Sequence, residues 1–391
     1  MNLNTILNRL VYLKNYLNID NIKSATKVFF YSILKQNTRY PNYLLDFEKK
    51  VSKYFDSKYA LTFSNGTTAC NALLYSVGVK KGSKIIISKL TFPSVISSIL
   101  RIGGKPIFLD FNKDLQINYN QEDSKIIKEC DFLLITHAYG IPQNFEIINS
   151  ILTLNNKLIL IEDVSHAQGA KIDNKMLGTL GKGSFMSMQG DKAINAGEGG
   201  LVLTNENNIY ERLIFLSHLN RKTPINNKLN LLSKIGFIGK GRMSPLGAIT
   251  ALNDIKRLQK RNAIIREKTK ILYEGLKNLK NFYAPKINNY ENLGGFHYGI
   301  PFFADSTLIN HLKKFFKISE YNWPILDSNE NFKDPSKFLD LLYSDDPKIE
   351  NVFEKSNDLR DELYFFDLNE LIISSKKKIK KKIDLIKKNE N

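Results

Sequence analysis

"KLILIEDVSHAQGA", residues 157–170, is the stretch that decides the fold class of this chain. It opens as an apolar strand and ends in two carboxylates, Glu162 and Asp163, with His166 just beyond. A run this apolar is buried on both faces, as in a sheet with helices on either side. Sheets of that kind bind ligands at the carboxyl ends of their strands, which is where the two acids stand. One acid can face a ligand while the other caps the following turn, and the run does not choose between them.

The same pattern recurs on both sides. Short apolar runs lie at "YALTF" (59–63), "KIIIS" (84–88), "PIFLDF" (106–111), "DFLLITHA" (131–138), "SFMSM" (184–188) and "GLVLT" (200–204). Helical stretches such as "TTACNALLYSVG" (67–78) and "NFEIINSILTLN" (144–155) separate the earlier ones. The alternation predicts an α/β domain with a mostly parallel, seven-stranded sheet. The last two runs are joined without a helix, so one strand is expected to run antiparallel. Further on, Leu258, Ile265, Leu272, Leu276 and Leu279 mark one face of a long helix, expected to end at Pro285. Strands such as "GGFHYGIPFF" (294–303) mixed with helices predict a smaller α+β domain after it. The expected division is a helical extension over 1–42, a large domain over 43–280 and a small domain over 281–391.

Composition narrows the function classes. The chain has 391 residues, 42% of them hydrophobic and 25% charged, as in a globular protein. No run is long and apolar enough to span a membrane, and the N-terminus lacks the pattern of a secretory signal. Cys70 and Cys130 form no disulfide framework, so a cytoplasmic protein is expected. His137, His166, His218, His297 and His311 are scattered without ligand spacing, which gives metal catalysis no support. The net charge of +18 is partly local: eight lysines crowd "KKKIKKKIDLIKKNE" (376–390), where Ile379, Ile383 and Ile386 form one apolar stripe. That predicts a helix with a solvated lysine face; peripheral contact with an anionic membrane is the alternative. No motif for reading nucleic acid accompanies the charge, so no nucleic-acid partner is expected.

Three stretches carry chemistry. In "FSNGTTAC" (63–70) a strand gives way to a helix whose N-terminus, with Gly66, Thr67 and Thr68, can hold a phosphate. An ordinary N-cap is the bland reading. Asp163 at its strand end can keep a ring nitrogen protonated. Lys192, in "MSMQGDKAINAGEGG" (186–200), is flanked by small residues that let a ring and backbone approach. A lysine that bonds to a carbonyl must be partly desolvated, so that its amine is free near neutral pH. Most lysines are plain surface charges, so Lys192 gains weight only from the company it keeps. A phosphate cradle, a strand-end aspartate and a lysine are together what pyridoxal phosphate requires. Phe92, in "LTFPS" (90–94), can lie flat on its ring or simply pack in the core.

On these motifs the chain resembles the DegT/DnrJ/EryC1/StrS family of sugar aminotransferases, which have the fold type I architecture of pyridoxal-phosphate enzymes. "FSNGTTACNALL", "ISKLTFPSV", "THAYGIPQNF", "GKGRMSPLGAITALNDIKRL" and above all the block from Ile161 to Asn205 carry the likeness. The resemblance implies that Lys192 holds the cofactor's aldehyde and shuttles the proton. It implies Asp163 on the pyridine nitrogen, His166 beside the ring's 3-hydroxyl and Phe92 stacked on the ring. Gly66, Thr67, Thr68 and Ser187 then hold the phosphate. Arg242, in "GKGRMSP", falls where the family reaches into a neighbouring subunit's site, which implies a homodimer with shared active sites. The implied reaction moves an amino group from glutamate or glutamine, through pyridoxamine phosphate, to a keto sugar on a nucleoside diphosphate, for aminosugar or polysaccharide synthesis. The rival inside the family is a sugar dehydratase, but those members replace the lysine, commonly with histidine, and this chain keeps it. A basic binding protein without turnover is the alternative from a different class.

Overall fold

The computed structural model describes residues 42–217, 241–320 and 359–388, with Ile22, Lys23, Thr26 and Phe29 besides. The expected N-terminal extension lies outside the described residues apart from those four and Asn42, and so does His218.

Helix α1 (Asn42–Phe55) precedes β1 (Tyr59–Phe63), α2 (Gly66–Val77), β2 (Lys84–Ser88), α3 (Pro93–Arg101), β3 (Lys105–Phe111) and β4 (Ile117–Asn118). Then come α4 (Gln121–Ile127), β5 (Phe132–Thr136), α5 (Phe145–Leu154) and β6 (Ile159–Asp163). A small hairpin, β7 (Lys171–Ile172) with β8 (Lys175–Met176), leads to β9 (Gly183–Ser187), β10 (Gly200–Thr204) and α6 (Asn207–Ser217). The large sheet has the order β1-β10-β9-β6-β5-β2-β3-β4. It has eight strands rather than the expected seven, because β4 adds a two-residue edge too short to leave an apolar run. β10 runs antiparallel to both neighbours, as the missing helix before it predicts. β9, β6, β5, β2 and β3 are parallel. β1, antiparallel to β10, therefore points the same way as they do. The carboxyl ends of β1, β2, β6 and β9 consequently share one edge.

Helix α7 (Pro245–Leu276) starts at a Ser244 cap with proline in its first turn and joins the two halves of the molecule. Its first half buries Ala248, Ala251 and Leu258 with residues of the large sheet, and its second half buries Ile265, Leu272 and Leu276 with a second sheet. It ends at Leu276, well short of Pro285; Leu279 is buried beyond the helix, where Asn281 takes φ 64° and turns the chain. The second sheet comprises β11 (Phe282–Tyr283), β12 (Gly299–Ala304), β13 (Ile318–Glu320) and β14 (Leu363–Asp367), in the order β11-β12-β14-β13, all antiparallel. Helix α8 (Ser306–Leu312) follows β12, and α9 (Leu368–Ile373) and α10 (Lys376–Lys388) follow β14. Residues 294–298 are not strand, as "GGFHYGIPFF" suggests, but a tight turn ahead of β12.

The lysine-rich segment forms α10 as its spacing predicts. Ile379, Ile383 and Ile386 are buried with Leu272 and Leu276 of α7 in one apolar cluster. Lys380, Lys381, Lys387 and Lys388 are exposed, and Lys382 turns back to the carbonyl of Phe315 and the Glu370 carboxylate. No helix among the described residues is long and apolar enough to cross a membrane.

Candidate active site

The structure separates the two strand-end carboxylates. Successive residues of a strand point to opposite faces. Glu162, 1% exposed, accepts backbone N–H bonds from Gly178 (2.8 Å), Leu180 (2.7 Å) and Gly181 (3.1 Å), so it closes the turn before β9. Its neighbour Asp163 accepts only from Ser165 N (2.9 Å) among the hydrogen bonds described. Burial pushes the Asp163 carboxyl up, against the Ser165 bonds and the nearby charges of Lys192 and His137. Asp163 thus keeps acceptor capacity that Ser165, among the described residues, does not use.

At the end of β1 the chain enters α2 through Asn65, whose side chain caps Thr68 N at 2.8 Å. The amides of Gly66 and Thr67 precede the helix's own first bond, Ala69 N to Asn65 O, and so present donors at the positive end of the dipole. Gly66 lies against Ser187, the last residue of β9: a Cβ on Gly66 would stand 2.7 Å from the serine Cβ. Only glycine lets these two meet, and the result is a concave, donor-lined corner. Thr67 and Thr68 complete it, with Ser64 Oγ donating to Thr68 Oγ1 at 3.2 Å.

Lys192 lies in the loop between β9 and β10, and the loop is pinned from below. Gln168, fully buried, donates from Nε2 to Ser187 O (2.8 Å) and accepts Ile194 N on Oε1 (2.7 Å). Asp254 of α7 accepts Asn195 N at 3.0 Å, and Asn195 in turn bonds Gly190 O (2.7 Å) and Gly197 N (2.6 Å). Burial lowers the Lys192 amine to about 8, despite the opposing charges of Asp191 and Asp163. The lysine is half-buried and releases its proton close to neutrality. His166 is buried, is pushed well below its ordinary value by burial and by the charge of Lys192, and has no partner for Nδ1.

Phe92 caps α3 just past β2, where Thr91 Oγ1 and Thr136 Oγ1 are hydrogen-bonded at 2.9 Å. Thr136 is in register with Asp163, so Phe92 stands on the same edge of the sheet. Arg242 follows Gly241, whose carbonyl accepts Ser64 N at 2.7 Å, which places it beside its own chain's cradle. The structure thus brings Lys192 within reach of Asp163 and His166 and sets Gly66 on Ser187, with Phe92 and Arg242 placed by their own strand ends.

Residues that sequence reasoning missed close the site. His297 and Tyr298 come from the turn before β12, and His297 packs on His166 with ring centroids 4.4 Å apart. Tyr139, from the segment after β5, lies 5.2 Å from His166. Tyr139, Phe296 and Tyr298 have φ of 52°, 52° and 73°, a conformation uncommon outside glycine and one that clusters at functional sites. No local motif announces them; "GGFHYG" reads as the start of a strand. Together with Lys192, His297 and Tyr298 line a cleft of about 1360 Å³ that runs between α7 and the second sheet.

A family model described as the DegT/DnrJ/EryC1/StrS aminotransferase family matches residues 30–321. The chain belongs to this family. Over 174 residues it is 35% identical to the GDP-perosamine synthase of Escherichia coli O157:H7, covering 44% of this chain and 48% of that protein. The chain thus spans about half the length of the curated relatives it matches. Among solved structures, the aminotransferase from Psychrobacter cryohalolentis superposes with TM-score 0.71 at 18% identity, over 95% of this chain and 96% of that one. The E. coli GDP-4-keto-6-deoxy-D-mannose-3-dehydratase gives TM-score 0.70 at 19% identity, over 95% and 96%. These likenesses establish the fold that the family shares, a large mixed sheet with a second, smaller one.

Proposed function

We propose that the chain is a pyridoxal-phosphate-dependent aminotransferase that moves an amino group from glutamate or glutamine to a keto sugar carried on a nucleoside diphosphate. It acts in this reading as a homodimer with shared active sites. One observation carries the proposal: burial lowers the amine of half-buried Lys192 to about 8, and within reach of its charge the buried Asp163 carboxyl is pushed up, bonded among the described residues by Ser165 alone. The likeness to GDP-perosamine synthases, whose name gives an amino sugar on a nucleoside diphosphate as product, supports the acceptor class.

The residues fit the cofactor by their chemistry. The start of α2 with Gly66, Thr67, Thr68 and Ser187 offers donors for a phosphate. Asp163 would hold a proton on a ring nitrogen, and that bond would relieve its unfavourable burial. His166 has an unmatched Nδ1 for the ring hydroxyl, and Phe92 flanks the same edge. Pyridoxal phosphate, when bound, supplies an electrophilic carbonyl and an electron-withdrawing ring. Lys192 would hold that carbonyl and, as a free amine, would move the proton at the amino donor's α carbon. Asp163 would keep the ring nitrogen protonated, and Gln168 and Asp254 hold the lysine's loop in place.

An absorbance spectrum tests this. The normal protein with pyridoxal phosphate should show a visible band that glutamate bleaches; Lys192→Ala should show no such lysine-bound band. A normal protein without the band removes the cofactor assignment. A band that no amino donor bleaches removes amine transfer and leaves the non-catalytic reading.

A further inference from the structure

Helix α10 carries more positive charge than its place in the fold requires. Its 13 residues hold eight lysines and one acid, Asp384. Lys376 pairs with Glu267, and Lys382 pairs with Glu370. Lys377, Lys378, Lys380, Lys381, Lys387 and Lys388 are exposed, with no ion pair among the described residues. Helix stability does not account for them. Lys387 and Lys388 suit the negative end of the helix dipole, but Lys376, Lys377 and Lys378 stand in the first turn, at its positive end, with no acid beside them. Lys377 and Lys381, four residues apart, add like-charge repulsion. Glutamate and lysine in alternation would make the surface as soluble without either penalty.

Nor is this a helix free to sink into a bilayer. Its apolar stripe of Ile379, Ile383 and Ile386 belongs to the core of the second sheet. Gly275 of α7 admits Ile383 so closely that a Cβ there would stand 2.7 Å from its Cδ1. The far face is therefore held in fixed register. On it Lys378, Lys381, Leu385 and Lys388 recur at i, i+3, i+7 and i+10, one stripe of a helix. Leu385 is 41% exposed amid these lysines. Lys378 also stands on the rim of the cleft with Lys260, Lys314 and two further exposed apolar residues, Ile264 and Ile373.

This mixture selects among anionic partners. A nucleic acid is met by charge, and a single strand by aromatic rings as well. The exposed apolar side chains here are aliphatic instead. A bilayer with acidic headgroups has negative charge at its surface and hydrocarbon just beneath, so it takes lysines and aliphatic chains side by side. We infer that the exposed face of α10, from Lys377 to Lys388, with the adjoining Ile373, seats the protein on an anionic phospholipid surface. Such a seat holds or fails independently of the chemistry at Lys192.

The test is sedimentation of the full chain with vesicles of phosphatidylcholine, alone or mixed with phosphatidylglycerol. It compares the normal protein with Lys381→Gln/Lys388→Gln and with Leu385→Gln, since glutamine keeps helix propensity while removing charge or apolar surface. The normal protein should sediment with the mixed vesicles at about 0.1 M salt and come off at about 1 M, where the screening length falls from about 10 Å to about 3 Å. It should not sediment with phosphatidylcholine alone. Removing both lysines should weaken binding about 25-fold, at roughly fivefold for each. Leu385→Gln should weaken it about fivefold while leaving any binding to a short DNA duplex unchanged. No sedimentation of the normal protein, equal sedimentation with both kinds of vesicle, or a preference in competition for the duplex overturns the assignment. Full binding by the double-lysine variant puts the contact on another face and overturns it too. Should that variant unfold at lower denaturant, Lys377→Gln/Lys380→Gln takes its place, with the same expected loss.

Discussion

The floor and the wall of the cleft hold their side chains by opposite means. The Lys192 loop forms the floor, beside Asp163 and Ser187 on the carboxyl edge of the large sheet. Ladder bonds, the buried amide of Gln168 and the local bonds of Asn195 fix them there. The wall is the turn at 294–299, held by Arg261 and Asn262 of α7 and by backbone contact with residues 166–168. Its backbone is strained where the floor's is ordinary. The floor places charge, which acts over several ångströms and benefits from a rigid ladder. The wall places the buried ring of His297, which acts only at contact distance, so the fold clamps its position more tightly.

Substitutions can break this contrast at either end. The largest effect belongs to the floor: Lys192→Ala should lower amine transfer by about 10⁴-fold or more, as loss of the group that moves the proton. Turnover measured at saturating cofactor checks it. Asp163→Asn should come next, at about 10²–10³-fold in turnover, with thermal stability nearly unchanged. Its neighbour divides the other way. Glu162→Gln should leave turnover within a few-fold and cost about 1–3 kcal/mol in denaturant unfolding, since an amide cannot accept all three N–H bonds. If both variants behave alike, the two carboxylates are not separated in function as they are in space.

The wall is probed by Gly295→Ala. The new Cβ would stand 2.5 Å from Gln168 N and 2.6 Å from His166 O, at a φ of 73°. A cost of about 1–3 kcal/mol is expected. Unfolding curves in denaturant test it. The smallest effect is a pH dependence of the floor. The Lys192 amine titrates at about 8 in the folded chain against an ordinary 10.5. Cofactor capture by the apoprotein should therefore quicken as pH rises toward about 8 and level off above. Between about 8 and 10.5 the unfolded chain binds the extra proton, so this residue makes stability rise with pH over that window. A capture rate that is flat through pH 8 would mean an ordinary surface lysine.

The floor was legible in the sequence because its parts sit where apolar runs end. Gly66, Asp163, His166, Ser187 and Lys192 each follow a strand or open a helix, and strand ends in a parallel sheet share an edge by construction. The helix of Ile379, Ile383 and Ile386 was equally plain, since its period is local. Other features had no local signal. β4 is two residues long, and α7 stops at Leu276 through a turn at Asn281 rather than at a proline. Gln168 and Asp254 position Lys192 through bonds that cross the chain.

The mostly parallel sheet, the reversal at β10 and the residues at the carboxyl edge follow from the sequence, because periodicity and strand ends are short-range properties. The tertiary structure alone decided three further things. It turned Glu162 into a turn clamp and left Asp163 facing the site, because the layers packed on each face of a strand set the fate of alternate side chains. It lowered the Lys192 amine, because desolvation is summed over everything that surrounds the group. And it brought His297 onto His166, because only contacts from α7 and residues 166–168 could hold so strained a turn.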